Sequence, residues 1–159
     1  MCSSDLDVGL YTSIAIRDNG NPVISYHDAT SGVLKVAACA NAGCSGTSTV
    51  TTVDSEGVVG ENPSIAIGDN GNPVISYYDS TNGDLKVAAC ANAGCTGTST
   101  VTTVDSADDV GLYTTIAIRD NCNPVISYHD ATSGVLKVAA CANAGCSGTS
   151  TVTTVDSEG

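Results

Sequence analysis

The chain has 159 residues, a formal net charge of −12, and a hydrophobic content of 42% that includes no Phe and no Trp. With only five Lys and Arg, it lacks the basic surface that nucleic-acid binding needs, and its charge opposes binding to anionic membranes. No apolar run approaches the roughly 18 residues of a membrane-spanning helix. We therefore expect no nucleic-acid partner and no membrane insertion.

The sequence repeats with a period of 51 residues, and the units cover residues 7–57, 58–108 and 109–159. The first and third units differ at only two positions. Such a period is typical of repeat architectures, in which each unit is one supersecondary block. Three units of 51 residues leave six residues over, residues 1–6, which read MCSSDL. Cys-Ser-Ser-Asp-Leu is also the translation of a common sequencing adapter. Our hypothesis is that this leader is a read artefact and the chain a fragment of a longer array.

Each unit predicts four strands, here taken in order from the second unit. PSIAIG is a short β-branched run, and the Asn70-Gly71 turn predicts a hairpin into the next run, PVISYYD. DLKVAACA is the third run, and TVTTVDS follows the ANAGCTGTS connection as the fourth. The stretches between units, such as VDSEGVVGENP, are predicted loops. Consecutive hairpins of this kind indicate an antiparallel sheet.

The apolar runs do not alternate cleanly with polar residues, which indicates sheets packed on both faces rather than on one. Four strands in about 50 residues is the size of a β-propeller blade. We predict an all-β chain of three four-stranded antiparallel propeller blades, with a solenoid as the alternative. Rings have about 4–8 blades. Three blades would therefore complete a ring by dimerisation (3+3), belong to a larger propeller, or form an open assembly.

Six cysteines form three C-x4-C pairs, one per unit: Cys39 with Cys44, Cys90 with Cys95, and Cys141 with Cys146. A tight loop brings the two Cα atoms within the reach of a disulfide, so we predict three disulfides and an extracellular or cell-surface location. Free thiols and structural zinc are the alternatives, although zinc usually takes two such pairs. Cys122 replaces a turn glycine and, if the leader is an artefact, is an odd cysteine, free or intermolecular. A side chain there would strain the turn. A link between Cys2 and Cys122 is the less favoured alternative, because strand order places them at opposite ends of their blades.

The end of the second strand and the loops between units carry most of the acidic residues and both histidines. We predict a candidate ligand face there, made of Tyr11, His27, Asp28, Tyr78, Asp79, Tyr113, His129 and Asp130. A neighbouring His and Asp suggest a general base or a metal site. Adjacent strand residues point to opposite faces, however, so the pair is not arranged to share a proton. The alternative is an aspartate that caps its turn.

Two further features concern charged side chains. Asp79, Asn82 and Asp84 surround a glycine turn, and calcium favours such oxygen clusters, although turn chemistry explains the same residues. No other cofactor is indicated. One lysine per unit lies within an apolar strand, at Lys35, Lys86 and Lys137. Its desolvation requires an ion pair, and we predict a repeated aspartate as partner, between blades or at their rim.

At LKVAAC and NPVISYYD the chain resembles tandem blades of secreted bacterial β-propeller proteins, including sialidase-like and lectin-like repeat groups. The resemblance covers nearly the whole chain after Leu6 and implies a repeat type rather than an activity. It supports three hypotheses: a non-catalytic extracellular scaffold or binding module, a lectin that binds glycans between blades, and a self-assembling protein linked through open blade faces. A sialidase-like glycoside hydrolase is the least favoured, because near-identical repeats offer no unique catalytic constellation. We therefore expect no enzyme.

Overall fold

The computed structural model describes residues 7–158, which form three four-stranded antiparallel sheets, one from each repeat unit. Sheet 1 consists of β1 (Val8–Ile16), β2 (Pro22–Asp28), β3 (Val33–Ala38) and β4 (Thr49–Asp54). Sheet 2 consists of β5 (Val59–Ile67), β6 (Pro73–Asp79), β7 (Asp84–Ala89) and β8 (Thr100–Asp105). Sheet 3 consists of β9 (Val110–Ile118), β10 (Pro124–Asp130), β11 (Val135–Ala140) and β12 (Thr151–Asp156). In every sheet the strands lie in chain order, which confirms the predicted consecutive hairpins.

The hairpin between the first two strands forms at the predicted Asn-Gly position in sheets 1 and 2, and at the equivalent Asn121-Cys122 in sheet 3. Gly20 and Gly71 have φ of +79° and +77°, a region that glycine enters without steric cost. The same turns lie beside the cysteine loops, as antiparallel strand order requires. In sheet 1 the Arg17 guanidinium donates to the Cys39 carbonyl, and the Asn21 amide donates to the Ala40 carbonyl at 3.1 Å.

The first strand of each sheet begins earlier than predicted, since β5 includes Val59 and Gly60 of the supposed loop. Val59 pairs with Asp79, and the register then shifts twice before the regular ladder resumes at Ser64. Gly60 packs so closely on sheet 1 that a Cβ there would lie 2.6 Å from the Leu34 Cα. The bulges break the hydrophobic alternation, which explains why this segment reads as a loop in the sequence.

Each sheet has two faces that point to different neighbours, and successive sheets pack face to face. We call the face toward the following sheet the front face, represented in sheet 1 by Val23, Leu34 and Val36. The face toward the preceding sheet is the back face, represented in sheet 2 by Ile75 and Tyr77. These five residues belong to one buried cluster between sheets 1 and 2.

A second cluster repeats this arrangement between the front face of sheet 2 and the back face of sheet 3. Sheet 2 is therefore covered on both sides, which confirms the packing predicted from its non-alternating strands. The first strands β1, β5 and β9 contact one another in sequence, so the sheets converge on them. No helix long and apolar enough to cross a membrane occurs within residues 7–158.

Candidate functional site

The most highly charged contact between sheets 1 and 2 is a cluster of four polar side chains, which we call the inter-sheet cluster: Asp54, Tyr77, Asp79 and Lys86. Asp54 ends β4 of sheet 1, and the other three belong to sheet 2. The Lys86 ammonium lies 2.9 Å from Asp79 Oδ2 and 3.8 Å from Asp54 Oδ2. The Tyr77 hydroxyl donates to Asp54 Oδ2 at 2.7 Å. One lysine is thus shared by two carboxylates, that of Asp79 in its own sheet and that of Asp54 in the preceding sheet.

The cluster recurs between sheets 2 and 3 with the equivalent residues. Lys137 lies 2.7 Å from Asp130 and 3.9 Å from Asp105, and the Tyr128 hydroxyl donates to Asp105 at 2.6 Å. The lysine partners predicted from sequence are present, both within and between sheets. Sequence reasoning did not assign Asp54 and Asp105 to this role. Their recurrence at the same place in every unit was the available signal.

Burial and charge pairing together shift the pKa values of three members of the inter-sheet cluster, Lys86, Asp79 and Tyr77. Burial alone lowers the pKa of Lys86, but the hydrogen bond to Asp79 and the charge of Asp54 raise it above its usual value. Burial raises the pKa of Asp79, and hydrogen bonds from Asn82 and Lys86 outweigh it, so the pKa is lowered. Burial, followed by the hydrogen bond to Asp54, raises the pKa of Tyr77. These shifts keep Asp79 and Lys86 charged and Tyr77 neutral.

The predicted ligand face is divided by the two sides of β2. His27 is buried on the front face, where its Nδ1 lies 2.9 Å from the Val59 carbonyl oxygen of sheet 2. Asp28 points the other way, accepts backbone N–H bonds from Thr30 and Ser31, and pairs with Lys35. The Lys35 hydrogen bond is the main cause that lowers the pKa of Asp28 to about 2. The two side chains are not brought together, and Asp28 caps its turn.

The second unit has Tyr78 in place of the histidine, and this tyrosine also reaches the next sheet. Its hydroxyl donates to Asp109 Oδ1 at 2.7 Å. Burial, with this hydrogen bond second, raises the pKa of Tyr78 to about 12. The side chain is 9% exposed, so it offers little surface to a ligand. Asp130, like Asp28, is buried and paired with its lysine.

Two tyrosines of the predicted face remain open to solvent. Tyr11 and Tyr113 are 52% and 71% exposed and have φ of +52° and +53°. Positive φ is uncommon for a bulky residue and marks a strained position. Each ring lies 6.3 Å from a histidine ring, that of His27 or His129. With Asn62 of sheet 2 between them, both tyrosines line one shallow depression along the converging first strands.

The predicted calcium cluster is occupied by turn interactions. Asp79 Oδ1 accepts backbone N–H bonds from Thr81 and Asn82, while Oδ2 accepts the Asn82 amide and faces Lys86. Asp84 pairs with Asp79 across the strands, and burial raises its pKa. In the part of the chain that the structure describes, no three His, Cys, Asp or Glu side chains form a group suited to a metal ion.

The three C-x4-C pairs form disulfides in the structure, each with a Cα–Cα distance of 4.9 Å. In the second unit the Asn92 side-chain oxygen accepts the N–H groups of Gly94 and Thr96, which shapes the loop. Cys95 has φ of +54° and is fully buried against the sheet. The disulfides indicate an oxidising environment.

Cys122 is a free thiol, and it is the only one among residues 7–158. Its φ of +66° confirms that a side chain replaces glycine in a left-handed turn. The thiol donates to Asp69 Oδ2 of the sheet 2 turn at 2.7 Å, and this hydrogen bond raises its pKa. It lines a cleft between two neighbouring turns together with Asn72 and Gly145. Cys2, the remaining cysteine, lies outside the described residues.

Comparison with solved structures decides the architecture. An alpha-L-arabinofuranosidase from Lactobacillus brevis superposes with a TM-score of 0.60 at 13% identity, over 95% of this chain and 55% of that one. The three sheets have a propeller-like arrangement. A thermostable family-43 glycoside hydrolase gives a TM-score of 0.56 at 12% identity, over 98% of this chain and 55% of that one.

Both solved structures are five-bladed β-propellers, and the chain spans about half of their length. At 12–13% identity the likeness shows the fold alone. No family model and no curated protein matches the sequence. We now call the three sheets blades.

Proposed function

We propose that this chain is a non-catalytic extracellular scaffold or binding module built from propeller blades. The main support for the proposal is that the charged side chains that recur in each unit bond to one another within and between blades. Asp79 and Asp130 each lie within 3 Å of a lysine ammonium group. Asp54 and Asp105, from the preceding blades, each accept a hydrogen bond from a tyrosine hydroxyl. Groups bound in this way stabilise contacts between blades and are poorly placed to meet a substrate.

Glycoside hydrolysis is the activity that the superposed enzymes would suggest. It generally needs two carboxylic groups facing one bond, one of them protonated near neutral pH. The repeated aspartates instead have lowered pKa values. Lysine hydrogen bonds are the main cause for Asp28 and Asp130, and hydrogen bonds from Asn82 and Lys86, which outweigh burial, are the cause for Asp79. The same fold serves unrelated functions. The likeness therefore supports the scaffold and does not extend to the reaction.

A hydrolysis assay tests this part of the proposal. The purified chain is incubated with aryl glycosides, including an aryl α-L-arabinofuranoside, and with arabinan-type polysaccharides. We expect no turnover above that of heat-inactivated protein. Turnover above this control would contradict the proposal. Its loss in Asp79→Asn or Asp130→Asn but not in Asp69→Asn would point to a carboxylate of the lysine pairs as the group responsible.

Glycan binding is a second candidate, and the exposed tyrosines favour it. Tyr11 and Tyr113 present aromatic rings from strained bulges in one depression, and such rings can stack on the apolar face of a sugar. A glycan array would give a reproducible hit that Tyr11→Ala and Tyr113→Ala each weaken. Val101→Ala, at an exposed apolar position outside the depression, serves as the control. An array without hits would leave the scaffold role and remove the lectin role.

A further inference from the structure

The back face of blade 1 exposes apolar residues whose equivalents in blades 2 and 3 are buried. Ile14 is 61% exposed, whereas the equivalent Ile65 and Ile116 are both 7% exposed. The latter two lie in the two buried apolar clusters between neighbouring blades, here called the inter-blade clusters. Val8 is 60% exposed, whereas its equivalents are fully buried. Among the described residues, nothing lies within 4 Å of a Cβ placed on Gly9, although the same position in the other blades packs on a leucine backbone. This face has the composition and shape of a blade contact.

The front face of blade 3 shows the same property from the opposite side. Leu136 is 42% exposed, whereas the equivalent Leu34 and Leu85 are fully buried. Val155 is 58% exposed, whereas its equivalents are partly buried against the inter-blade clusters. Asp156 is exposed, although its equivalent Asp54 is buried in the inter-sheet cluster. Exposed apolar patches of this kind mark association sites.

These two open faces are the complementary halves of a contact that occurs twice within the chain. We propose that the front face of blade 3 binds the back face of blade 1 in a second copy of this chain, head to tail. A second copy is the expected partner because the first and third units are nearly identical. The front face of blade 3 therefore resembles that of blade 1, which packs on blade 2, and the back face of blade 1 resembles that of blade 3, which also packs on blade 2. The inference goes beyond the proposed scaffold role, which a monomer could also perform.

The repeat predicts the polar contacts of this interface. Asp54 reaches Tyr77 and Lys86, which lie 23 and 32 residues further along the chain. The same offsets from Asp156, reduced by three repeat periods, lead to Tyr26 and Lys35 of the second copy. Lys35 has Asp28 as its ion-pair partner in blade 1 but no carboxylate from a preceding blade, among the described residues. Asp156 would supply it.

Backbone groups follow the same rule. The Gly32 carbonyl accepts the Val59 N–H at 3.0 Å, and the Gly83 carbonyl accepts the Val110 N–H at 2.9 Å. One period on, the Gly134 carbonyl meets the Val8 N–H of the second copy. His129 likewise meets the Val8 carbonyl, as His27 meets that of Val59. The contact is heterologous, so it closes into a six-bladed dimer or extends as an open chain.

Sedimentation velocity from about 1 to 100 μM protein measures the association. Cys2 and Cys122 are replaced by serine so that only noncovalent contacts count, and about 0.15 M salt screens the net negative charge. We expect a dimer or a longer series. Ile14→Glu and Leu136→Glu each block one face, and each should weaken association about 100-fold or more by burying an unpaired carboxylate. Val101→Glu, the same change on the middle blade, should leave association unchanged.

Mixing the two face-blocked variants gives the sharpest result. Each retains one functional face, and the two faces are complementary, so the mixture should form a 1:1 dimer that neither closes nor extends. Far-UV circular dichroism checks that each variant folds, and Ile14→Thr with Leu136→Thr replaces any that does not. A wild-type chain that stays monomeric, or a single face-blocked variant that still dimerises, would overturn the proposal.

A double-mutant cycle then tests the residue assignment. Tyr26→Phe and Asp156→Asn should each weaken association about tenfold, as loss of a hydrogen bond to a charged group does. These residues lie in blades 1 and 3 of one chain, with blade 2 between them, so they meet only across copies. The double variant should be about as weak as either single variant. Losses that multiply to about 100-fold would refute the predicted contact.

Discussion

Replacement of Lys86 by Met removes the cation that two buried carboxylates share. Asp79 is fully buried and Asp54 is 6% exposed, so neither gains much water when the ammonium is lost. Removing one partner of a buried ion pair typically costs about 3–5 kcal/mol. Because the Lys86 side chain keeps 11% exposure, we expect the lower end, about 3 kcal/mol. For a chain of this size, this lowers the Tm by about 6–12 °C.

The repeat supplies matched controls for this substitution. Lys137→Met should cause a similar loss, since Lys137 also faces two aspartates. Lys35→Met should cause a smaller loss, because Lys35 faces Asp28 alone on an open face. Thermal unfolding is followed by circular dichroism at one low protein concentration, since association would raise the Tm.

A rescue variant isolates the electrostatic cause. Lys86→Met combined with Asp79→Asn removes the unpaired charge while the amide oxygen still accepts the turn N–H bonds, so much of the lost stability should return. If Lys86→Met shifts the Tm no more than Lys35→Met, the second carboxylate from the preceding blade contributes nothing. If the rescue variant is no more stable than Lys86→Met, the unpaired charge of Asp79 is not the cause of the loss, and either result would refute the reasoning.

Three further predictions concern single positions and pH. Cys122→Gly should raise the free energy of unfolding by about 0.5–1 kcal/mol, because relief of strain at positive φ exceeds the added chain entropy; a loss of stability in urea titration would contradict this. The buried Ser25 hydroxyl has no hydrogen-bond partner among the described residues, while its equivalent Ser76 donates to Thr114, whose place in the second unit is taken by Pro63. Pro63→Thr should therefore be about 1 kcal/mol more stable than Pro63→Ala, and equal urea midpoints would refute this. The lowered pKa of Asp79 and of Asp130 contributes stability that is complete above about pH 4 and is lost as pH falls below it. Urea midpoints from pH 6 to pH 2 measure this loss, which should shrink in Asp130→Asn, and an unchanged pH dependence there would contradict the assignment.

Much of the blade could be predicted because its determinants are local. An Asn-Gly turn selects positive φ whatever surrounds it, as Gly20 and Gly71 show. A five-residue separation keeps two cysteines within disulfide reach, as Cys90 and Cys95 show. Strand alternation separates neighbouring side chains, so His27 and Asp28 point to opposite faces as expected. None of these features depends on a distant part of the chain.

The candidate site depended on contacts that local patterns do not encode. His27 and Tyr78 looked like parts of an exposed ligand face, yet both are buried because the next blade packs over them. The sequence of the bulged start of β5 predicted a loop. The close packing of Gly60 on Leu34 is a contact between two sheets, which the local sequence does not encode.

The sequence by itself determined the repeat, the four strands of each blade, the disulfide pairs and the need of each buried lysine for a carboxylate. Only the tertiary structure decided which aspartate reaches which lysine, and which faces stay open. The physical reason is that a strand's composition records that it is buried, but not by what. Ile14 and Ile65 occupy the same place in the repeat, and Ile65 is buried only because the preceding blade packs on the back face of blade 2.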